Sequence, residues 1–190
     1  MIPPALLACA PNVAPITLQA IAQVESGDNP LAININGMRL QPLPARDAKE
    51  AARMSESYIA RGYSVDIGLM QVNSRNLASL GVTVEQVLYP CENIRAAATI
   101  LTADYAAAAR TRGDGQPALR AALSAYNTGD FYRGFANGYV AKYYGPGGIP
   151  ALIGGMHEVA TLKPAAPPPP NPYTADTAVF VGEATNVRIE

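Results

Sequence analysis

The sequence is short of the residues on which several classes of function depend. Its 190 residues include one histidine and two cysteines, Cys9 and Cys91. Neither cysteine has the CxxC spacing or the histidine-rich neighbourhood that a metal or redox site would need. The formal net charge of -1 provides no basic stripe that could collect phosphate groups. We therefore expect no metal site and no nucleic acid partner, and we assign no role to the single histidine, His157.

Long apolar runs are also missing. No stretch approaches the roughly 20 apolar residues that a membrane-spanning helix requires, so no transmembrane segment is expected. The first residues, MIPPALLACAP, lack a positively charged start and hold only a brief apolar patch, which makes no convincing secretory signal. Too little chain precedes Cys9 to form a lipoprotein signal, and its lipidation is not expected.

The sequence does contain enough apolar residues for a substantial core, since 49% of them are hydrophobic and 15% are charged. Residues 15–26 carry apolar side chains at helical spacing and end at Asp28-Asn29-Pro30. A second helix is predicted from Ala48 to a stop at Gly62. An alanine-rich helix over 92–110 is predicted to pack on a helix over 117–126. The predicted fold class is mainly α.

Shorter patterns fill the rest of the domain. Thr83-x-x-Gln86 is a capping-box signal for a short helix that Pro90 ends. The stretch NGYVAKYYGPGG predicts one further short helix, ended by glycine and proline. In SVDIGLMQVN the apolar residues alternate too briefly for a strand, and we predict a buried extended turn there.

The composition changes at residue 163. Residues 163–172, which end in PAAPPPPNP, are predicted to form a stiff extended linker. Residues 173–190 then form a short tail. Its apolar segment 178–181 could add a strand to the sheet edge of a partner, but we favour a flexible tail. The main domain is accordingly expected to cover residues 1–162.

Spacing leaves the state of the two cysteines open. In an oxidising compartment Cys9 and Cys91 could form a disulfide that closes a long loop, and otherwise they would be two buried thiols.

Three separated pieces, VESGDNP, DIGLMQVN and SAYNTGD, each place a carboxylate, amide or tyrosine beside glycine at the end of a predicted element. In order and type they resemble the motifs of the soluble lytic transglycosylases, whose fold is similar to goose-type lysozyme. The resemblance runs from about residue 10 to about residue 145. The cysteine before the first helix, the long insert after the first motif and the phrase AYNTGDFYRGFANGYV resemble, within that family, the transglycosylases of type IV secretion and conjugation systems.

The resemblance implies a lysozyme-like helical domain with a substrate cleft and assigns roles to several residues. Glu25 matches the catalytic acid of the family. Asn73 departs from the Met or Thr that many relatives have there, which puts its role in a sugar subsite in question. The side chains that the resemblance places on the substrate are Ser26, Gln71, Asn73, Tyr126, Asn127 and Tyr139.

The resemblance also implies the reaction. The substrate would be the glycan strands of peptidoglycan, and the bond cleaved would be the β-1,4 link between N-acetylmuramic acid and N-acetylglucosamine. Glu25 would act first as acid and then as base, forming a 1,6-anhydro ring without water and without a cofactor. The implied location is the periplasm, and the implied purpose is local opening of the wall for a secretion or conjugation apparatus, whose components the tail could contact.

Other interpretations remain open at this point. Asp66 could position a water for hydrolysis, which would make the protein a muramidase, because inverting glycosidases use a second carboxylate. We prefer to interpret Asp66 as an Asx-type turn residue before Gly68. Gln71 could simply tie loop backbone together, and Tyr126 could be a core tyrosine with a satisfied hydroxyl. A glycan-binding scaffold without turnover is the remaining alternative.

Overall fold

Proline, glycine and capping side chains divide the chain into short and long helices. The computed structural model describes residues 1–146 and residue 148. The helices are α1 (Pro4–Leu7), α2 (Pro15–Ser26), α3 (Ala48–Ala60), α4 (Leu77–Leu80), α5 (Val84–Val87), α6 (Pro90–Arg112), α7 (Gln116–Thr128), α8 (Arg133–Ala136) and α9 (Ala141–Tyr144). The prediction of a mainly α fold is confirmed, whereas α1, α4 and α8 were not predicted.

The first long helix, α2, has the limits that the sequence predicted. Pro15 occupies its first position, where a missing N–H costs nothing. Gly27 follows the helix with a φ of 63°, a left-handed conformation that glycine adopts readily. Leu18 and Ile21 on the apolar face are completely buried in the core. The polar end of α2, which carries Glu25, is thereby fixed against the core.

The longest helix, α6, packs against α7, as predicted. Pro90 both follows the short helix α5 and begins α6, so α6 starts two residues before the predicted limit. The contact is made of small residues, because Ala108 of α6 shares a buried cluster with Ala118 and Ala121 of α7. Side chains of this size let two helices approach closely, which brings the end of α7 alongside the middle of α6.

A small sheet corrects the prediction of an extended turn without a strand in SVDIGLMQVN. Strand β1 (Ile33–Ile35) pairs with β2 (Val65–Ile67), and β2 pairs with β3 (Val72–Asn73), both antiparallel. The partner strand β1 comes from the long insert, and three alternating residues are too few to predict such a distant pairing. Val65 and Ile67 point into the core, while Asp66 lies on the opposite face.

The two cysteines form a disulfide, which settles the choice that spacing left open. Cys9 follows α1 and Cys91 lies in the first turn of α6, with their Cα atoms 5.5 Å apart. The bridge spans 82 residues of sequence. Closing a loop of this length in the unfolded chain contributes roughly 4 kcal/mol to stability in the chain-entropy treatment.

Several smaller predictions can also be compared with the structure. The capping box of Thr83 and Gln86 is present, with both hydrogen bonds formed. None of the helices that the structure describes is both long and apolar enough to cross a membrane. The predicted domain end at residue 162, the linker 163–172, the tail 173–190 and His157 lie outside the described residues.

Candidate active site

A cleft of about 550 Å³ runs along the side of the domain where α2, β2 and α7 end. Glu25 reaches it from the last turn of α2. Of the sequence-predicted site residues, the cleft wall contains Glu25, Asp66, Gln71, Asn73, Tyr126 and Asn127. The three motifs are therefore brought together at one site, as their resemblance to a single family implied.

The carboxyl group of Glu25 is held in an environment that favours its neutral form. Its pKa is raised from 4.5 to about 7, mainly by burial and to a smaller extent by the negative charge of Asp66. A hydrogen bond from Tyr139 and the positive charge of Lys142 act in the opposite direction. Glu25 can therefore either give or take a proton near neutral pH.

Two buried tyrosines support Glu25 from α9 and the loop before it. The Tyr139 hydroxyl donates to the Glu25 carboxylate and lies 2.8 Å from the Tyr143 hydroxyl. Because Tyr139 has a single hydroxyl proton, Tyr143 must donate to Tyr139 whenever Tyr139 donates to Glu25. Burial raises the pKa of both phenols far above the usual range, so both keep their protons. Tyr139 is buried and is not among the residues that line the cleft.

Asp66 lies in strand β2, so its interpretation as an Asx-type turn residue was wrong. Its carboxylate accepts hydrogen bonds from three amide side chains, at 3.2 Å from Asn34, 2.9 Å from Asn36 and 2.6 Å from Asn73. Asn34 and Asn73 stand directly opposite Asp66 on the two neighbouring strands. Pleating thus places the carboxylate and its amide partners on the face of the sheet that meets the cleft.

Gln71 is held by the backbone around the second motif. Its Nε2 donates to the carbonyl of Gly68 at 2.9 Å and to that of Ala32 at 3.1 Å. Its own backbone is left-handed, with a φ of 49°. Gln71 therefore ties the loop together, as one of the two sequence interpretations held, while it also lines the cleft. Contact between Gln71 and a substrate stays a prediction.

Ser26 links the first and second motifs. Its hydroxyl donates to the carbonyl of Leu69 at 2.7 Å and accepts from the backbone N–H of Asn29 at 3.1 Å. Ser26 does not appear among the cleft-lining residues. The structure accordingly gives Ser26 a role in orienting the end of α2, and its predicted contact with substrate remains a prediction.

The last turn of α7 supplies Tyr126 and Asn127. The Tyr126 hydroxyl donates to the carbonyl of Met70 at 2.7 Å, which joins the third motif to the second. Burial, and then the charge of Glu25, raise the pKa of Tyr126 well above its usual value. The Asn127 Oδ1 accepts from Asn137 at 3.1 Å. Both side chains line the cleft and are partly satisfied by protein contacts.

Asn93 is a buried support that the sequence analysis missed. It lies on α6, accepts from the N–H of Met70 at 2.7 Å, and donates to the carbonyls of Ile67 at 2.9 Å and Val87 at 2.7 Å. A Cβ at Gly68 would lie 2.5 Å from the Asn93 Nδ2, so only glycine fits beside it. In the sequence, the signal for this role was the position of Asn93 on the apolar face of a predicted helix, where an amide needs buried partners.

Two further residues were missed for different reasons. Tyr143 lies four residues after Tyr139 in a stretch predicted to be helical, and this spacing was the signal that could have paired the two side chains. Asp104 lines the cleft from the middle of α6. Nothing in its alanine-rich surroundings distinguishes it from an ordinary solvated residue. In the described part of the chain no group of three or more His, Cys, Asp or Glu side chains could hold a metal ion.

Comparison with known proteins agrees with this geometry. The family model described as "Transglycosylase SLT domain" matches residues 5–143, most of the chain. The chain belongs to the transglycosylase SLT domain family. The matched span of the SLT domain includes Glu25, the second motif, the end of α7 and Tyr139. No solved structure matches the chain significantly.

Relatives of this SLT domain include proteins of Agrobacterium and Brucella. Protein virB1 of Agrobacterium fabrum (strain C58) is 48% identical over 134 residues, which cover 70% of this chain and 54% of that protein. The Type IV secretion system protein virB1 of Brucella suis biovar 1 is 38% identical over 191 residues, covering 99% of this chain and 77% of that protein. The chain thus spans about half the length of the Agrobacterium relative and about three-quarters of the Brucella one.

Proposed function

We propose that the protein is a peptidoglycan lytic transglycosylase, which cleaves the β-1,4 bond between N-acetylmuramic acid and N-acetylglucosamine and leaves a 1,6-anhydro end. The observation that carries this proposal is Glu25, a carboxyl group with a pKa of about 7 that opens on a cleft and accepts a hydrogen bond from a buried phenol. A group with these properties can act as an acid and as a base in one reaction.

In the first step the protonated Glu25 gives its proton to the glycosidic oxygen. The bond from that oxygen to the anomeric carbon of the muramoyl sugar breaks, and N-acetylglucosamine leaves as an alcohol. The acetamido oxygen of the muramoyl sugar stabilises the positive charge that develops at the anomeric carbon. Tyr139 donates a hydrogen bond to one carboxyl oxygen of Glu25, so the other oxygen carries the proton that is transferred.

In the second step the ionised Glu25 removes the proton of the 6-hydroxyl of the same sugar. The freed oxygen attacks the anomeric carbon and closes the 1,6-anhydro ring. Glu25 ends the cycle protonated, as it began, so neither water nor a cofactor enters the balance. Raising the pKa of Glu25 by burial favours the first step, and the hydrogen bond from Tyr139 stabilises the anion needed for the second.

Amide groups on the cleft wall would recognise the acetamido and hydroxyl groups of the glycan. Gln71 and Asn127 each retain hydrogen-bonding capacity beyond the contacts described above. Asn73 shares its amide between Asp66 and Ser64, at 2.6 Å and 2.8 Å. We propose that Ser26 helps to orient the end of α2, and with it Glu25, since its hydroxyl is bound to backbone.

Hydrolysis is the second candidate reaction, because Asp66 lines the same cleft and its charge acts on Glu25. A base that activates water needs a free oxygen directed at that water. Three amide donors already occupy the Asp66 carboxylate, which favours a role in holding the sheet and the electrostatics of the cleft. We therefore propose anhydro formation ahead of muramidase activity.

The test is mass spectrometry of the soluble products that the wild type and a Glu25→Gln variant release from purified peptidoglycan. Muropeptides with an anhydro end, one water lighter than those of a lysozyme digest, would support the transglycosylase, provided the variant releases none. Reducing ends would establish hydrolysis and direct attention to Asp66. Glycan binding without products from either protein would leave a non-catalytic assembly scaffold.

We also propose that the protein works in the periplasm and opens the wall for a type IV secretion or conjugation system. Two observations support this. One is the name of the Brucella relative, Type IV secretion system protein virB1, and the other is the disulfide between Cys9 and Cys91, since such bonds persist in oxidising compartments. Residues 173–190 would contact components of the transport system. A chain ending at residue 162 should keep its activity on peptidoglycan but support less transfer, and equal transfer would remove the role of the tail.

A further inference from the structure

The cleft extends past the catalytic carboxyl along a wall that has no assigned role. On this wall α6 contributes Ile100 and Asp104, one helical turn apart, and the end of α7 contributes Asn127 and Thr128. The negative charge of Asp104 is one of those that act on Tyr126, as do those of Glu25 and Asp66. Asp104 is therefore within electrostatic reach of the residue that joins this wall to the reaction centre.

Asp104 differs from the other carboxylates of the cleft in having no hydrogen-bond partner among the residues that the structure describes. Asp66 accepts from three amides and Glu25 from a phenol. Within the part of the chain that the structure describes, the Asp104 side chain makes no hydrogen bond and no ion pair. Burial raises its pKa to about 6. A carboxylate kept partly out of water in this way gains most from a donor brought by a ligand.

The surroundings indicate the chemistry of that ligand. Ile100 offers an apolar side chain beside the carboxylate, Asn127 offers an amide, and the nearby end of α7 is the negative end of a helix dipole. A site of this kind suits a neutral group with hydrogen-bond donors next to a small apolar part. An N-acetylated sugar has both, because its hydroxyl and acetamido N–H groups are donors and its acetyl methyl is apolar.

We propose that Ile100 and Asp104 form a further saccharide-binding subsite, in which the Asp104 carboxylate accepts from a hydroxyl or acetamido N–H of an N-acetylated sugar outside the scissile bond. This inference rests on the proposed function, since it places one more sugar of the same glycan in the same cleft. It makes Asp104 a residue for substrate affinity with no part in proton transfer.

The test uses the full chain in a Glu25→Gln background, so that binding is measured without turnover. The probe is the N-acetylglucosamine hexamer at pH 7.5, where Asp104 is ionised, and the dissociation constant is measured by calorimetry. Asp104→Ala should weaken binding about tenfold, as expected for losing a hydrogen bond to a charged group. Asp104→Asn, which keeps one acceptor oxygen, should weaken it less. Asp114→Asn, an exposed carboxylate outside the cleft wall, is the matched control and should bind normally.

Thermal unfolding of the same variants separates a binding role from a structural one. Removing an unpartnered, half-buried carboxylate should leave the melting temperature unchanged or raise it. Unchanged affinity in both Asp104 variants would overturn the inference, and so would a loss of affinity that is accompanied by a lower melting temperature.

Failure of the proposed function would look different. If the wild type released no products but the hexamer still bound in an Asp104-dependent way, the reaction would be wrong and the subsite would stand. If the wild type released anhydro products while the Asp104 variants bound normally, the subsite would be wrong and the reaction would stand. Absence of both products and hexamer binding would remove both.

Discussion

Tyr139 donates a hydrogen bond to the carboxylate of Glu25, although the two residues are 114 positions apart in the chain. This contact determines much of what Glu25 can do, because it occupies one carboxyl oxygen and stabilises the ionised form against the burial that opposes it. The balance of the two effects leaves the pKa of Glu25 at about 7. Both the activity and the stability of the protein should therefore depend on pH through Glu25.

Activity should depend on pH through Glu25. The first step requires the protonated carboxyl group, so kcat/KM should decrease as pH rises through about 7. The rate of release of soluble muropeptides, measured between pH 5 and 9, gives the profile. A rate that keeps rising to pH 9 would contradict the assignment of Glu25 as the acid.

The stability of the folded protein should also depend on pH through Glu25. The folded protein binds the Glu25 proton more tightly than the unfolded chain does, so its contribution is fully present below pH 4.5 and is lost as pH rises to about 7. The Glu25→Gln side chain cannot ionise, so the variant does not lose stability in this way as pH rises. The variant should therefore match the wild type near pH 4 and exceed it by up to about 3 kcal/mol at pH 8.

Urea unfolding of both proteins at the two pH values measures this difference, and other titrating groups cancel because both proteins share them. A Glu25→Gln variant that is less stable than the wild type at pH 8 would show that the ionised carboxylate is stabilising, contrary to the effect of burial described here.

Removing the phenol hydroxyls should alter the pH profile as well as the rate. Tyr139→Phe deletes the hydrogen bond that lowers the pKa of Glu25, so the alkaline limb of the profile should move to higher pH. The rate should also fall roughly tenfold or more. Tyr143→Phe should move the limb in the same direction by less, because Tyr143 acts through Tyr139.

The double variant tests that relationship. If Tyr143 works only through Tyr139, then Tyr143→Phe should change nothing further in a Tyr139→Phe protein. Additive losses would indicate that Tyr143 supports the domain in another way. Tyr132→Phe is the matched control, since Tyr132 is 69% exposed and does not line the cleft.

Asn93 should be important to stability without touching the substrate. Its side chain satisfies one N–H and two carbonyls of buried backbone around the second motif. Asn93→Ala leaves all three without partners and should cost roughly 3 kcal/mol or more, measured by urea unfolding. Asn12→Ala, which removes an exposed hydrogen bond to Thr102, should cost less than about 1 kcal/mol. Equal effects of the two changes would contradict the role assigned to Asn93.

The sequence predicted the helices well because their limits are local. The start of α2 at Pro15, its end before Asp28 and the capping box at Thr83 depend on residues within about one turn of chain, and the structure has each in the expected place. The sheet was missed because β2 is only three residues long and its partner β1 lies in the insert. The corrected position of Asp66 follows from that sheet, since pairing placed amides opposite it where a turn had been expected.

The sequence by itself determined the three motifs, their order and the identity of Glu25 as the candidate acid, because these depend on residue type and neighbouring chain. Only the tertiary structure decided the bond between Cys9 and Cys91, the tyrosine pair behind Glu25, the support from Asn93 and the partial burial of Asp104 in the cleft. Each of these depends on which distant side chains share a buried space. Burial and hydrogen bonding there set the pKa of Glu25, and the spacing of residues along the chain does not encode them.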